Sequence, residues 1–169
     1  MRKTMLSTCA LVAAVAVAGA NRAEAQASSN ITASANVAAA LTASTIQNLA
    51  FGTVIPSFPR TVATTDAANA GIVRFAGGAN AEVNVTLPTL PANLSDGANN
   101  LPISYTSGYA LTQAGAQTSF TPASGATTRL DGTTGFLFVF VGGTVSPGAG
   151  QVAGLYSGTI TVQAAYTGN

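Results

Sequence analysis

The sequence predicts an all-β protein, an antiparallel β-sandwich of about seven to nine short strands. Three observations carry that prediction. The stretch from Gly154 to Tyr166 alternates, with Tyr156, Gly158, Ile160, Val162, Ala164 and Tyr166 on one face and mostly polar residues on the other. Successive strand side chains point to opposite faces, so this period of two marks a strand with one apolar side. Phe136 to Val141 is a continuous apolar run closed by Gly142-Gly143, which suits a strand buried on both faces. Short apolar stretches elsewhere are separated by Gly, Pro, Asn and Asp, the spacing of a sandwich.

The chain starts with an expected export signal. Arg2 and Lys3 precede an apolar run from Met5 to Ala20, and Ala23-Glu24-Ala25 offers a small-x-small cleavage site. The run is shorter than the roughly 20 apolar residues of a membrane-spanning helix. Residues 1–25 are therefore expected to be removed. The rest is expected to carry no transmembrane segment and to leave for the cell surface through a periplasm. Cys9 departs with the signal, so packing without disulfides must hold the mature chain.

Next, Ile31, Ala33, Ala35 and Val37 continue through Ala39 to Leu41 in alternation with Thr, Ser, Asn and Ala. This reads as a second period-two strand. Residues 26–36 are expected to form a short extension and 37–169 the sandwich. Leu49 to Ile55 reads as a strand stopped by Pro56, and Gly71 to Ala76 as another ending at Gly77-Gly78. Val83, Val85 and Leu87 alternate with polar residues before Pro88. Asp96-Gly97 and Asp131-Gly132 mark sharp turns. Ile103 to Tyr105 and Tyr109 to Leu111 read as two short strands around Gly108. Phe136–Val141 and Gly154–Tyr166 are expected to lie side by side.

Composition narrows the function. Beyond the signal the charged residues are Arg60, Arg74 and Arg129 against Asp66, Glu82, Asp96 and Asp131, and the chain has no His. A nucleic-acid partner needs a basic patch, which is missing here. There is no His for general-base work, no mature Cys nucleophile and no mature Lys, and the spacing of the four carboxylates pairs no two of them. No enzyme activity, catalytic residue, cofactor or metal site is expected. Asp66, Asn69, Asp96, Asn99 and Asn100 could supply oxygen to calcium, but their spacing matches no EF-hand loop. Tyr105, Tyr109 and Phe120 would suit a glycan platform if exposed, and would otherwise be core.

The informative feature is at the strand edges. Soluble β proteins guard exposed edges with charge. The first and last alternating stretches have none, which fits either β-augmentation between chains or pairing of the two terminal strands within one sandwich.

Leu49-Ala50-Phe51-Gly52-Thr53-Val54, Val141 to Thr144 and Ala153 to Val162 with Tyr166 resemble, in order, an uncharacterised bacterial secreted family, domain-of-unknown-function family 4402. That family is similar to spore coat protein U and, more remotely, to chaperone–usher pilins. The resemblance implies an incomplete immunoglobulin-like sandwich and a non-enzymatic subunit of a surface fibre or coat. Its partners would be copies of itself or related subunits, with a periplasmic chaperone and an outer-membrane usher. The implied acceptor residues are Phe136, Phe138, Phe140, Gly154, Tyr156, Ile160, Val162 and Tyr166. The implied donor residues are Ile31, Ala33, Ala35 and Val37. A monomeric secreted adhesin or glycan-binding module is the alternative.

Overall fold

The computed structural model describes residues 28–35, 37 and 39–168. The expected signal, 1–25, lies outside them. Ten strands follow one another: β1 (Thr42–Gln47), β2 (Arg60–Val62), β3 (Gly71–Ala76), β4 (Glu82–Thr89), β5 (Asn93–Ser95), β6 (Asn100–Ala110), β7 (Thr118–Phe120), β8 (Ala126–Arg129), β9 (Phe136–Val145) and β10 (Thr161–Tyr166). They form a larger sheet in the order β1-β3-β9-β6-β5, with β2 beside β9 and β7 beside β6, and a smaller sheet β10-β4-β8. Every pairing is antiparallel. The chain is a β-sandwich, as the periodicity predicts.

β9 is the centre of the larger sheet. One flank pairs with β3 and then β2, and the other with β6 over Phe138 to Val145. Its side chains alternate between two environments, both apolar. Leu137 and Val139 face the smaller sheet and meet Val83, Val85, Phe75 and Leu130 in the main core. Phe138 and Phe140 pack with Ile72 and Ala110 in a separate cluster. A strand apolar on both faces therefore reads as a continuous run. The run does not stop at Gly142-Gly143, as the sequence suggested. A Cβ at Gly142 would lie 2.5 Å from the Val62 carbonyl oxygen, and one at Gly143 would collide with that of Ser104. These glycines let β2 and β6 close on β9, so the strand continues to Val145.

Three further expectations change. The alternating stretch 31–41 carries no strand in its described residues, and the first strand begins at Thr42. Small alanines bury too little apolar area to hold that stretch against a sheet. Leu49 to Ile55 also lacks a strand. Its Phe51 is buried with Val62, Ala70, Leu101 and Val145, while Leu49 and Val54 pack beside them. The two short stretches around Gly108 are one strand, β6.

The last correction concerns neighbours. β10 pairs with β4 in the smaller sheet, Ala164 opposite Val85 and Tyr166 opposite Val83. It does not pair with β9. Residues 154–160 join no strand and make one isolated bridge, Ser157 to Ser95. The facing was read correctly for Val162, Ala164 and Tyr166, which all pack on the main core.

Candidate functional site: an open groove between the first and last strands

β1 pairs only with β3 and β10 only with β4 among the described residues. Each therefore has an unpaired edge. β1 reads Thr-Ala-Ser-Thr-Ile-Gln and β10 reads Thr-Val-Gln-Ala-Ala-Tyr, without charge. The edge strand β8 differs, because it ends in Arg129, whose guanidinium lies 3.4 Å from Glu82. That is the usual protection of an edge.

Two hollows lie between the same stretches of chain, 41–56 on one side and 151–165 on the other. The smaller, about 380 Å³, is floored by Phe75 and walled by Leu41, Ala43, Val162 and Ala164. The larger, about 710 Å³, reaches the second apolar cluster and is bounded by Leu49, Phe51, Leu101, Val145, Tyr156 and Ile160. No charged side chain lines either one. Exposed apolar residues stand at the larger opening, with Val152 at 52% and Leu155 at 89% exposure. Isolated exposed apolar residues are ordinary, but a run beside an apolar hollow marks an interaction surface.

The polar groups around the larger hollow are mutually satisfied. Gln151 Nε2 donates to the Tyr156 hydroxyl at 2.7 Å, and that hydroxyl donates to the Val152 carbonyl at 2.7 Å. Tyr166, which lines neither hollow, anchors the end of β10. Its hydroxyl donates to the Ala39 carbonyl at 2.7 Å and accepts from the Gly78 N–H at 2.8 Å. A Cβ at Gly77 would strike that hydroxyl, so glycine makes room for the phenol. Tyr166 thus ties the entry of β1, the β3–β4 turn and the end of β10.

The structure divides the acceptor set. Gly154, Tyr156 and Ile160 line the larger hollow and Val162 the smaller. Tyr166 lines neither and packs on the main core. Phe136, Phe138 and Phe140 line neither, and β9 has no free edge on which to receive a strand. Ile31, Ala33, Ala35 and Val37 are exposed and outside any strand, with Ile31 at 93% and Val37 at 91%. Sequence reasoning missed Leu94, Leu101 and Ile103 as groove residues. Their stretches read as turns and short strands, and only the topology brings them beside the 151–160 segment.

The other candidate sites dissolve into local structure. Asp66 and Asp96 each accept backbone N–H bonds from the residues two and three ahead, plus the Asn69 or Asn99 side chain. The neighbouring asparagine amide is the main reason both carboxyls titrate below their usual range, with backbone N–H groups adding to it. Asp131 is lowered chiefly by the Thr134 N–H, then by the Thr134 hydroxyl. These carboxylates hold turns. Among the described residues no three His, Cys, Asp or Glu side chains cluster as a metal site. Tyr109 and Phe120 meet at a tilt with ring centroids 6.1 Å apart and pack on the main core. The Tyr105 hydroxyl donates to the Pro91 carbonyl, and burial raises its pKa. These three do not form an exposed platform.

The groove's walls lie almost entirely within residues 41–166, and that is the stretch matched by a family profile described as a domain of unknown function, DUF4402. The chain belongs to this family. No curated protein matches it. In this DUF4402 domain the profile begins just before β1 and ends at Tyr166, so it spans both uncharged edges and both hollows.

Proposed function

We propose that this DUF4402 protein is a non-enzymatic, secreted structural subunit of a bacterial surface fibre or coat, assembled by β-strand exchange. One observation carries the reading. The first and last strands of the sandwich each keep an unpaired, uncharged edge, and apolar hollows lie between them. An extended strand from another subunit laid there would gain main-chain hydrogen bonds from an edge and place alternate side chains in the hollows. In transit through the periplasm a chaperone strand would cover the same apolar surface. An usher in the outer membrane would then exchange it for a subunit. The resemblance to spore coat protein U and pilins supports this order of events. The exported signal at 1–25 supplies the route.

The test is export of the full chain to a periplasm together with its own chaperone and usher, followed by gels with and without boiling in detergent. The expected result is a ladder of multimers that collapses to one band on boiling. A monomer under both conditions, with a monomeric mass in solution, would overturn the reading.

A further inference from the structure

The two hollows differ in what surrounds them. The smaller is bordered by β1 and β10, whose outer edges are unpaired among the described residues. The larger is bordered by 49–56 and 151–160, which belong to no strand, and by Leu94, Leu101, Ile103 and Val145. Val145 is paired on both sides, with Arg60 and with Ile103. The outer edge of β5 is met at Ser95 by Ser157, through two backbone bonds of 2.9 Å. A polypeptide strand running over this hollow would lose its ladder, and its own N–H and C=O groups would be covered without partners.

The lining offers no polar partner either. Gln151 Nε2 donates to the Tyr156 hydroxyl and to the Asn100 carbonyl, and the Tyr156 hydroxyl donates to Val152. Thr53 and Ser157 are exposed to water. The buried side-chain atoms without partners among the described residues, Arg74 Nε and Gln117 Oε1, lie elsewhere. What remains is apolar surface reaching down to Phe51, Leu101 and Val145. The volume, about 710 Å³, is that of a small-molecule site, roughly 300–1,000 Å³. Such walls favour a ligand that is apolar along its length and carries no hydrogen-bonding groups, which describes a hydrocarbon chain.

The rim points to the source of such a chain. Val152 and Leu155 project from it into solvent. Ile55 and Phe58 are exposed on an adjoining turn, tied to the rim by the Ser57 N–H donating to the Pro147 carbonyl at 3.2 Å. Residues 48–59 and 144–155 hold no charge. Asp96, beside Gly154, is engaged in its own turn. Exposed Arg60 follows Pro59 and lies opposite Val145. Projecting apolar side chains around an uncharged mouth suit a fluid apolar phase, and a neighbouring guanidinium suits a phosphate.

We propose that the larger hollow binds one acyl chain of a phospholipid taken from a bilayer. Phe58, Val152 and Leu155 rest in the membrane surface, and Arg60 meets the headgroup phosphate. The site is separate from strand exchange, which uses the edges of β1 and β10, and it stands whether or not subunits assemble.

The chain has no tryptophan, so Leu155→Trp in the exported chain places a single reporter at the mouth. Vesicles of phosphatidylethanolamine and phosphatidylglycerol should carry this chain upward in a flotation gradient. Its emission should shift to the blue and be quenched by brominated acyl chains. A series of monomeric alkyl phosphocholines, lengthened one methylene at a time, should bind about fourfold tighter per methylene and then level off once the hollow is full. Ala153→Asp puts a carboxylate on an exposed lining position and should weaken binding of both probes more than tenfold. Val152→Ser with Leu155→Ser should weaken flotation yet leave the soluble amphiphiles bound. Absence of flotation and quenching would overturn the proposal, as would an affinity that climbs with chain length without levelling, which marks surface adsorption. Amphiphile binding without vesicle binding would overturn the bilayer as the source. None of these readouts requires multimers, so their failure leaves strand exchange standing.

Discussion

The middle of the sandwich and its open flank are built from the same residue types but are finished differently. Val139 of β9 is fully buried, with β3 and β6 on either side and Val83 and Val85 facing it. Val162 of β10 touches the same core, yet it is only partly buried and borders a hollow. The difference is one missing neighbour. A strand with both edges paired has its backbone and side chains satisfied within the chain. A strand with one edge free retains donors, acceptors and apolar area for a partner. Stability should therefore concentrate on β9, and assembly on β1 and β10.

The largest expected effect tests the first half of that comparison. Leu137→Ala empties a fully buried site on β9 and should cost about 3 kcal/mol in urea unfolding. It should weaken free subunit and multimer alike. An equal loss from Val162→Ala in the free subunit would show that β10 is as closed as β9, contrary to the groove.

Tyr166→Phe comes next. It removes the hydroxyl that serves both the Ala39 carbonyl and the Gly78 N–H. The expected cost is about 1 kcal/mol, since the part-buried Gly78 N–H loses its partner while the exposed Ala39 carbonyl can turn to water. Hydrogen exchange should quicken at Gly78 and leave the β9 amides protected. Uniform loss of protection would mean that the flank and the centre unfold as one unit.

Ala164→Asp sharpens the comparison from the other side. Ala164 lines the smaller hollow on an edge strand. A carboxylate there can reach water in the free subunit, so unfolding should shift by less than about 1 kcal/mol. In the assembled state the charge would be covered and unpaired, and the boiling-sensitive ladder should disappear. A ladder of normal length would place the interface elsewhere.

The sequence showed which way side chains face far better than which strands touch. Val83, Val85 and Leu87 alternate and are buried in that pattern. Gly71 to Ala76 is β3 to the residue. The two aspartate-glycine turns lie where Asp96 and Asp131 placed them. Neighbour relations were not readable, because a period of two is the same whichever strand lies alongside. β10 therefore looked like a partner of β9 and is a partner of β4. The alternation of 154–160 was equally misleading. Gly154 and Gly158 weaken the strand there, and the segment crosses from one sheet to the other over the larger hollow. The apolar run of Phe138 and Phe140 was correctly read as buried on both faces. What packs on its outer side, Ile72 of β3 and Ala110 of β6, was hidden, since it depends on which strands lie alongside. Of the groove, the uncharged termini were legible. The hollows were not, because they are made by residues from many separate stretches of the chain.

The smallest effect is on acid stability, and it separates loops from core. Asp66, Asp96 and Asp131 all titrate below the ordinary 3.8 in the folded chain because turn N–H groups and neighbouring side chains bind their charged forms. A carboxyl whose folded pKa is depressed adds stability that is complete above its unfolded value. That contribution is lost as pH falls through the folded one. Thermal midpoints should thus stay level down to about pH 4 and decline below it. The three groups are solvent-exposed, so the decline should be shallow and should weaken further in high salt only slightly, because the interactions are mainly hydrogen bonds. Asp96→Asn should flatten part of the slope while leaving multimer formation intact, since its turn lies outside the walls of both hollows. A steep cooperative loss near neutral pH has no source among the described carboxylates and would require a titrating group in the core.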